Sequence, residues 1–200
     1  MFNSFPRLAT AAFVLILATP ASARDPLQGY EQVEPAAVLE TPAPGTTAHP
    51  AQHVERGRYL VTLLGCGGCH TNGALLGKPD SERLLAGSSV GIATANPMVQ
   101  PDPGIVYPSN LTPDPKTGLG RWSQEEIAML LLSGMDNHGS KILPVMPWMN
   151  YRNLAPEDAA AIAMYLQSLS PIRHQVPKNV EPGQKAADPF VHFGVYRARP

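Results

Sequence analysis

The chain has 200 residues with 15 Lys and Arg against 16 Asp and Glu, a formal net charge of -1, and its length suits one domain. Like charges form no block, so the concentrated basic surface that phosphate binding needs is missing and a nucleic-acid partner is excluded.

Residues 1–23 carry Arg7 as their one charge, continue through the apolar run Leu8 to Ala18, and end Ala21-Ser22-Ala23. A basic start, a short apolar middle and a small-x-small end predict a cleaved signal peptide. The apolar run falls short of the roughly 20 residues that a bilayer span takes. No later segment is long and apolar, so the expected product is periplasmic and faces an oxidising compartment. Association with a membrane complex stays compatible with this reading.

Residues 24–50 hold Pro26, Pro35, Pro42 and Pro44 among Ala, Thr and Glu, which predicts an extended linker. A helix follows from about Ala51 to Leu64, with Val54, Tyr59, Val61 and Leu64 apolar and Gly57 where another helix can come close.

Directly after it stands Cys66-Gly67-Gly68-Cys69-His70, the C-x-x-C-H pattern of covalent haem attachment. Two thiols at this spacing reach two vinyl groups on one edge of a porphyrin, and the next residue turns its imidazole to the iron. The two glycines leave room for a close backbone path. A thioredoxin-like pair is the rival, but it needs a βαβ setting that is absent. Structural zinc needs a fourth ligand at a recognisable spacing, and no further cysteine exists.

The stretch between this motif and Ser123 is longer than a compact domain normally leaves unstructured, and wrapping a large flat cofactor would account for it. Ser123 and Glu126 form a capping-box pattern ahead of Ile127, Leu130 and Leu131, and Gly134 suits the end of that helix. A third helix opens at Pro156, with Glu157 and Asp158 in its first turn and Ala159, Ile162, Leu166 and Leu169 in one apolar stripe. No segment shows the sustained alternation that strands need, so the predicted class is all-α. Residues 173–200 read as a Pro-rich tail, with Phe190, Phe193 and Tyr196 close together.

A second axial ligand is less legible. Histidine with methionine is a common haem pair in electron-transfer proteins, and Met98, Met135, Met146 and Met149 all lie downstream in loops or at helix ends. Met146 sits between Pro144 and Pro147, which restrict its backbone. His138 competes as an imidazole ligand.

From His53 to Ile172 the chain resembles the haem domains of class I cytochromes c, in particular those of the cytochrome subunits of bacterial alcohol, aldehyde and gluconate dehydrogenases. The matching segments are Gly57-Arg58-Tyr59-Leu60, the haem motif with Thr71, Asn110-Leu111-Thr112-Pro113-Asp114, Thr117 through Ser123, Met146-Pro147, and Asp158 through Leu169 with Pro171. The resemblance implies a cytochrome c fold over residues 51–172 and one haem c held through Cys66 and Cys69. It also implies His70 and Met146 as iron ligands, and Asn110, Thr112 and Trp122 along the haem edge toward the propionates. Trp122 equally suits a core aromatic at a helix start, and Asn110 with Thr112 equally suits a turn ahead of Pro113. Those dehydrogenase subunits usually string three haem domains together, whereas this chain has one motif.

The function expected is single-electron transfer without a substrate of its own, as an exported carrier or as the electron-transfer subunit of a dehydrogenase or oxidase system. A dehydrogenase donor and a cytochrome or oxidase acceptor would be its partners. The competing reading is a haem enzyme or gas sensor with an open or labile distal site.

Overall fold

The computed structural model describes residues 39–96, 100–135 and 145–193. Helices dominate. Helix α1 spans Ala51–Leu63, α2 is the short turn Cys66–His70, α3 spans Gln124–Ser133, α4 is Trp148–Tyr151 and α5 spans Pro156–Ser168. Three strands, β1 (Gly91–Asn96), β2 (Gln100–Val106) and β3 (Phe190–His192), form one small sheet in the order β2-β1-β3.

The main core lies where α1, α3 and α5 meet. Val54, Leu60 and Val61 from α1, Ile127 and Leu131 from α3, and Ile162, Tyr165 and Leu166 from α5 are all buried in one cluster, the stripes of helical spacing, with one correction in α1: Tyr59 is exposed, its ring under the Arg56 guanidinium, and Leu60 takes the core place. Gly57 is buried in α1, and a Cβ there would collide with the carbonyl of Ala161 and crowd Tyr165. Absence of a side chain therefore sets how near α1 and α5 come. At the rim of the crossing the Arg56 guanidinium grips Asp158 through two bonds of 2.8 and 3.1 Å.

Helix α3 begins as the sequence predicts. Ser123 Oγ accepts from the Glu126 N–H at 3.2 Å, and Glu126 Oε2 accepts from the Ser123 N–H at 2.8 Å, so two end donors of the helix region are satisfied reciprocally. Gly134 closes it in the left-handed region at φ 71°, a conformation that costs glycine nothing. Helix α5 opens with Ala155 as a cap that makes no side-chain bond and with Pro156 at its first position, where the missing N–H is not needed.

The sheet corrects the all-α expectation. Pro101 and Pro103 argue against a strand over 100–106, yet β2 is an edge strand, where prolines without an N–H are tolerated. Its antiparallel register with β1 pairs Ile92 with Val106 and Ala93 with Ile105. The third strand arrives from far along the chain and pairs parallel to β1, Gly91 with Phe190 and Ala93 with His192. No local pattern announces such a pairing.

Both proline-rich flanks are anchored where they are described. The Tyr165 hydroxyl donates to the Pro42 carbonyl at 2.7 Å, the Gly45 N–H to Ser168 O at 2.7 Å, and the Arg58 guanidinium to Thr41 O at 3.2 Å. From residue 39 the expected linker is thus laid against α1 and α5. The expected tail likewise forms a strap. Val176, Val180 and Ala186 pack on a second small core of Ala93, Ile105 and Tyr107, and Val180 exchanges backbone bonds of 2.8 and 2.9 Å with Ile105. Prolines do not continue a helix, but their carbonyls accept, and a partner surface holds them extended. Phe190 and Phe193 are exposed, and Tyr196 lies outside the described residues.

Candidate haem site

The site begins at a backbone turn. Gly65 takes φ 68°, the left-handed conformation that glycine adopts without strain, and redirects the chain from α1 into α2. One helical turn then carries Cys66, Cys69 and His70 at positions i, i+3 and i+4, which share a face. Glycine is required at 65 and not within the motif. A Cβ at Gly68 would meet nothing within 4 Å, and one at Gly67 only ordinary contacts starting at 3.8 Å, so the close path expected between the cysteines is not enforced by protein atoms.

The two thiols are unbridged and partly buried. Burial pushes Cys66 up to about 11 and raises Cys69 as well, so both are protonated thiols at neutral pH. The imidazole of His70 is oriented by its backbone partner. Its Nδ1 lies 2.7 Å from the Ser109 carbonyl oxygen. A carbonyl only accepts, so Nδ1 carries the proton and Nε2 keeps a lone pair for a metal. Burial lowers the pKa of His70 against the opposing pull of that bond, which favours the neutral ring that ligates iron. The His70 carbonyl in turn accepts from the Gly87 N–H at 2.8 Å.

Met146 is partly buried and packs against the same core cluster as Cys66, Trp122 and Trp148. Met135 and Met149 are exposed. Met98 and His138 lie outside the described residues. The Met146 carbonyl accepts from the Trp148 N–H at 2.7 Å, which ties the methionine to the start of α4. Proline at 147 serves as the cap of that turn.

Two aromatic residues here escape a reading of the sequence. Burial is the main cause that holds the Tyr151 phenol up to about 12, with Cys66 and Cys69 nearby adding to it, so α4 brings its last residue close to both cysteines. The indole of Trp148 lies against Gly134, within 2.7 Å of where a Cβ would stand. Its N–H is buried and has no hydrogen-bond partner, alone in this among the described side chains. The i+2 and i+5 spacing from Met146 was the available signal, but it is too short to establish a helical face.

Asn110 and Thr112 are differently employed than the resemblance implies. Asn110 is 1% exposed. Its Nδ2 donates to Ile172 O at 2.7 Å and to Thr117 Oγ1 at 3.1 Å, while its Oδ1 accepts the N–H and the hydroxyl of Thr112 at 2.9 and 2.8 Å. Every polar group of that amide is occupied by protein, leaving none for a propionate. Trp122 packs on the core beside the cap of α3, and its carbonyl accepts from Gln167 Nε2 at 2.9 Å.

A covalent haem c fits this set. It needs two unbridged thiols on one face, an imidazole whose distal nitrogen is free and whose ring is fixed, and a soft neutral donor on the core. The unpartnered Trp148 N–H adds a buried donor with no acceptor of its own, which a cofactor carrying carboxylates would supply. Among the described residues no group of three or more His, Cys, Asp or Glu is placed to hold an ion.

Over 137 residues the chain is 32% identical to one of the subunits of nicotinate dehydrogenase from Pseudomonas putida, covering 68% of this chain and 10% of that protein. It is 30% identical over 142 residues to the fructose dehydrogenase cytochrome subunit of Gluconobacter japonicus, covering 70% of this chain and 26% of the relative. With the cytochrome c subunit of the quinone-dependent alcohol dehydrogenase of Gluconobacter oxydans it shares 31% identity over 123 residues, 61% of this chain and 23% of the relative. The chain thus spans about a quarter or less of the length of these relatives. The profile of one family, cytochrome c, matches residues 54–170, which takes in the haem motif, Ser109 and Met146, and the chain accordingly belongs to the cytochrome c family of electron-transfer proteins.

Proposed function

We propose that this chain is an exported carrier of single electrons, bearing one haem c bound through Cys66 and Cys69 with His70 and Met146 as axial ligands. The observation that carries the reading is the bond between His70 Nδ1 and Ser109 O at 2.7 Å, which fixes a neutral imidazole on the same helical face as the two thiols. When bound, the haem supplies a one-electron ferric/ferrous couple. The protein's own residues orient and protect it. Cys66 and Cys69 would anchor it, Ser109 holds the His70 ring, the core beside Met146 and Trp148 would exclude water from it, and the buried Trp148 N–H would offer a donor to a propionate. With His70 and Met146 both committed to the iron, the haem would keep no open site for a substrate, and the reading is of a carrier that is not an enzyme in its own right.

Relatives named as cytochrome subunits of fructose and alcohol dehydrogenases support a dehydrogenase as electron donor, and the acceptor in this reading is a further cytochrome or an oxidase. The leader over residues 1–23 supports a periplasmic location. No helix among the described residues is long and apolar enough to cross a membrane.

An optical spectrum of the exported protein in both oxidation states tests this, together with the ferric spectrum of Met146→Ala. Low-spin ferrous bands and a weak long-wavelength sulfur-to-iron band that vanishes in the variant are the expected result. A high-spin ferric spectrum with rapid carbon monoxide binding after reduction would instead establish the haem enzyme or sensor.

A further inference from the structure

The family profile stops at residue 170, and the strap that follows is tied to the loop carrying Ser109 at successive points. Ile172 O accepts from Asn110 Nδ2 at 2.7 Å, and the Ile172 N–H donates to Thr112 Oγ1 at 3.0 Å. The His174 N–H donates to Thr117 Oγ1 at 3.1 Å, and its Nδ1 meets Ala86 O at 2.8 Å. Further on, Asn179 Oδ1 accepts the Tyr107 N–H at 2.9 Å, and Val180 pairs with Ile105. Ser109 stands between these anchors, with the Pro108 carbonyl on one side held by the Ser88 N–H at 3.0 Å and Asn110 clamped on the other.

We propose that the strap over residues 171–193 acts, through Thr112 and Asn110, as a clamp that holds the Ser109 carbonyl on the Nδ1–H of His70 and so sets the electron donation of that ligand. Thr112 and Asn110 are positioning residues for the imidazole. This rests on the reading of His70 as the iron ligand. The physical link is direct: a tight N–H···O bond raises the basicity of the ligating ring, and a more basic ligand stabilises ferric over ferrous iron and lowers the midpoint potential. Thr112 is the junction, since its one hydroxyl donates to Asn110 Oδ1 and receives the Ile172 N–H. A slack clamp lengthens the Ser109 bond, exposes the ring N–H and raises the potential.

The test uses the exported, haem-loaded protein. Thr112→Val keeps the shape and removes the hydroxyl, Thr112→Ser restores it, and Asn179→Ala releases one exposed anchor of the strap. Midpoint potential and hydrogen exchange at His70 Nδ1, followed by NMR, are measured with the sulfur-to-iron band as a check on the distal side. Thr112→Val should raise the potential and speed exchange several-fold, Thr112→Ser should leave both at wild-type values, and Asn179→Ala should move both in the same direction by less. Wild-type potential and exchange in Asn179→Ala, or a potential shift in Thr112→Val without faster exchange, would overturn the clamp, as would a shift accompanied by loss of the sulfur band. A Thr112→Val chain that does not fold leaves the decision to Asn179→Ala. Absence of attached haem in the wild-type protein overturns the functional reading itself, which a haem assay shows separately.

Discussion

The alpha-carbon of Gly57 faces the carbonyl of Ala161 so closely that a methyl group between them has no room. Two helices that pack at such a distance gain dispersion contacts along their whole crossing, and Val54, Val61, Ile162 and Tyr165 are all buried beside it. A larger residue must push α1 away from α5 and disturb every one of these contacts. Gly57→Val should therefore destabilise the haem-loaded protein by about 3 kcal/mol, the upper part of the usual overpacking range. Denaturant unfolding followed by haem absorbance reads it. A loss below about 0.5 kcal/mol, the size of an ordinary surface change, would mean that the helices part without cost.

Ser123 is an exposed residue whose only described side-chain role is the cap of α3. Ser123→Ala should cost about 1 kcal/mol, and Ser123→Asp should recover most of it, because an aspartate caps as well and suits the positive end of the helix. Thermal unfolding of the three proteins under one set of conditions separates capping from burial. Equal midpoints for the alanine and aspartate variants would show that the hydroxyl matters for another reason.

Much of this architecture is legible because it is local. The helix over Ala51–Leu63, the capping box at Ser123, the stop at Gly134 and the stripe from Ala159 to Leu166 all follow from spacings of three and four residues, and the structure places each accordingly. The haem motif is local as well. What escaped is long-range: β3 pairs with β1 across nearly a hundred residues of chain, and Asn110 finds its partner in Ile172. A short polar motif such as Asn110-Leu111-Thr112 is compatible with either a cofactor or a loop lock, and only the distant partner decides. The Ser109 carbonyl left no trace at all in the sequence, since every residue type has one.

Asp114 gives a pH dependence with a definite sign. Its Oδ1 accepts the Thr117 hydroxyl at 2.7 Å and the N–H groups of Thr117 and Lys116 at 2.7 and 3.1 Å. The Thr117 hydroxyl bond is the largest cause that holds its carboxyl below the ordinary range. A depressed folded pKa contributes stability that is fully present above the unfolded value of about 3.9 and disappears as pH falls through the folded one. Asp114→Asn should be less stable than wild type at neutral pH, and the gap should close on acidification below about pH 4. Unfolding midpoints measured between neutral and strongly acidic pH check this, and a gap that stays constant across the range would remove the charge from the account.

Trp148→Phe probes the distal side without removing its aromatic packing on Gly134. In water a lone indole N–H is solvated, so burying it without a partner costs roughly 1–3 kcal/mol, a cost that the fold has no reason to carry unless an acceptor arrives. If the haem brings a propionate to that donor, the variant loses one hydrogen bond to a charged group, and the loaded protein should be less stable by about 1.5–3 kcal/mol. If nothing meets the donor, the substitution deletes an unsatisfied group and the loaded protein should be equally or more stable. Denaturant unfolding of the haem-loaded pair separates these by sign, and the first outcome is the one expected.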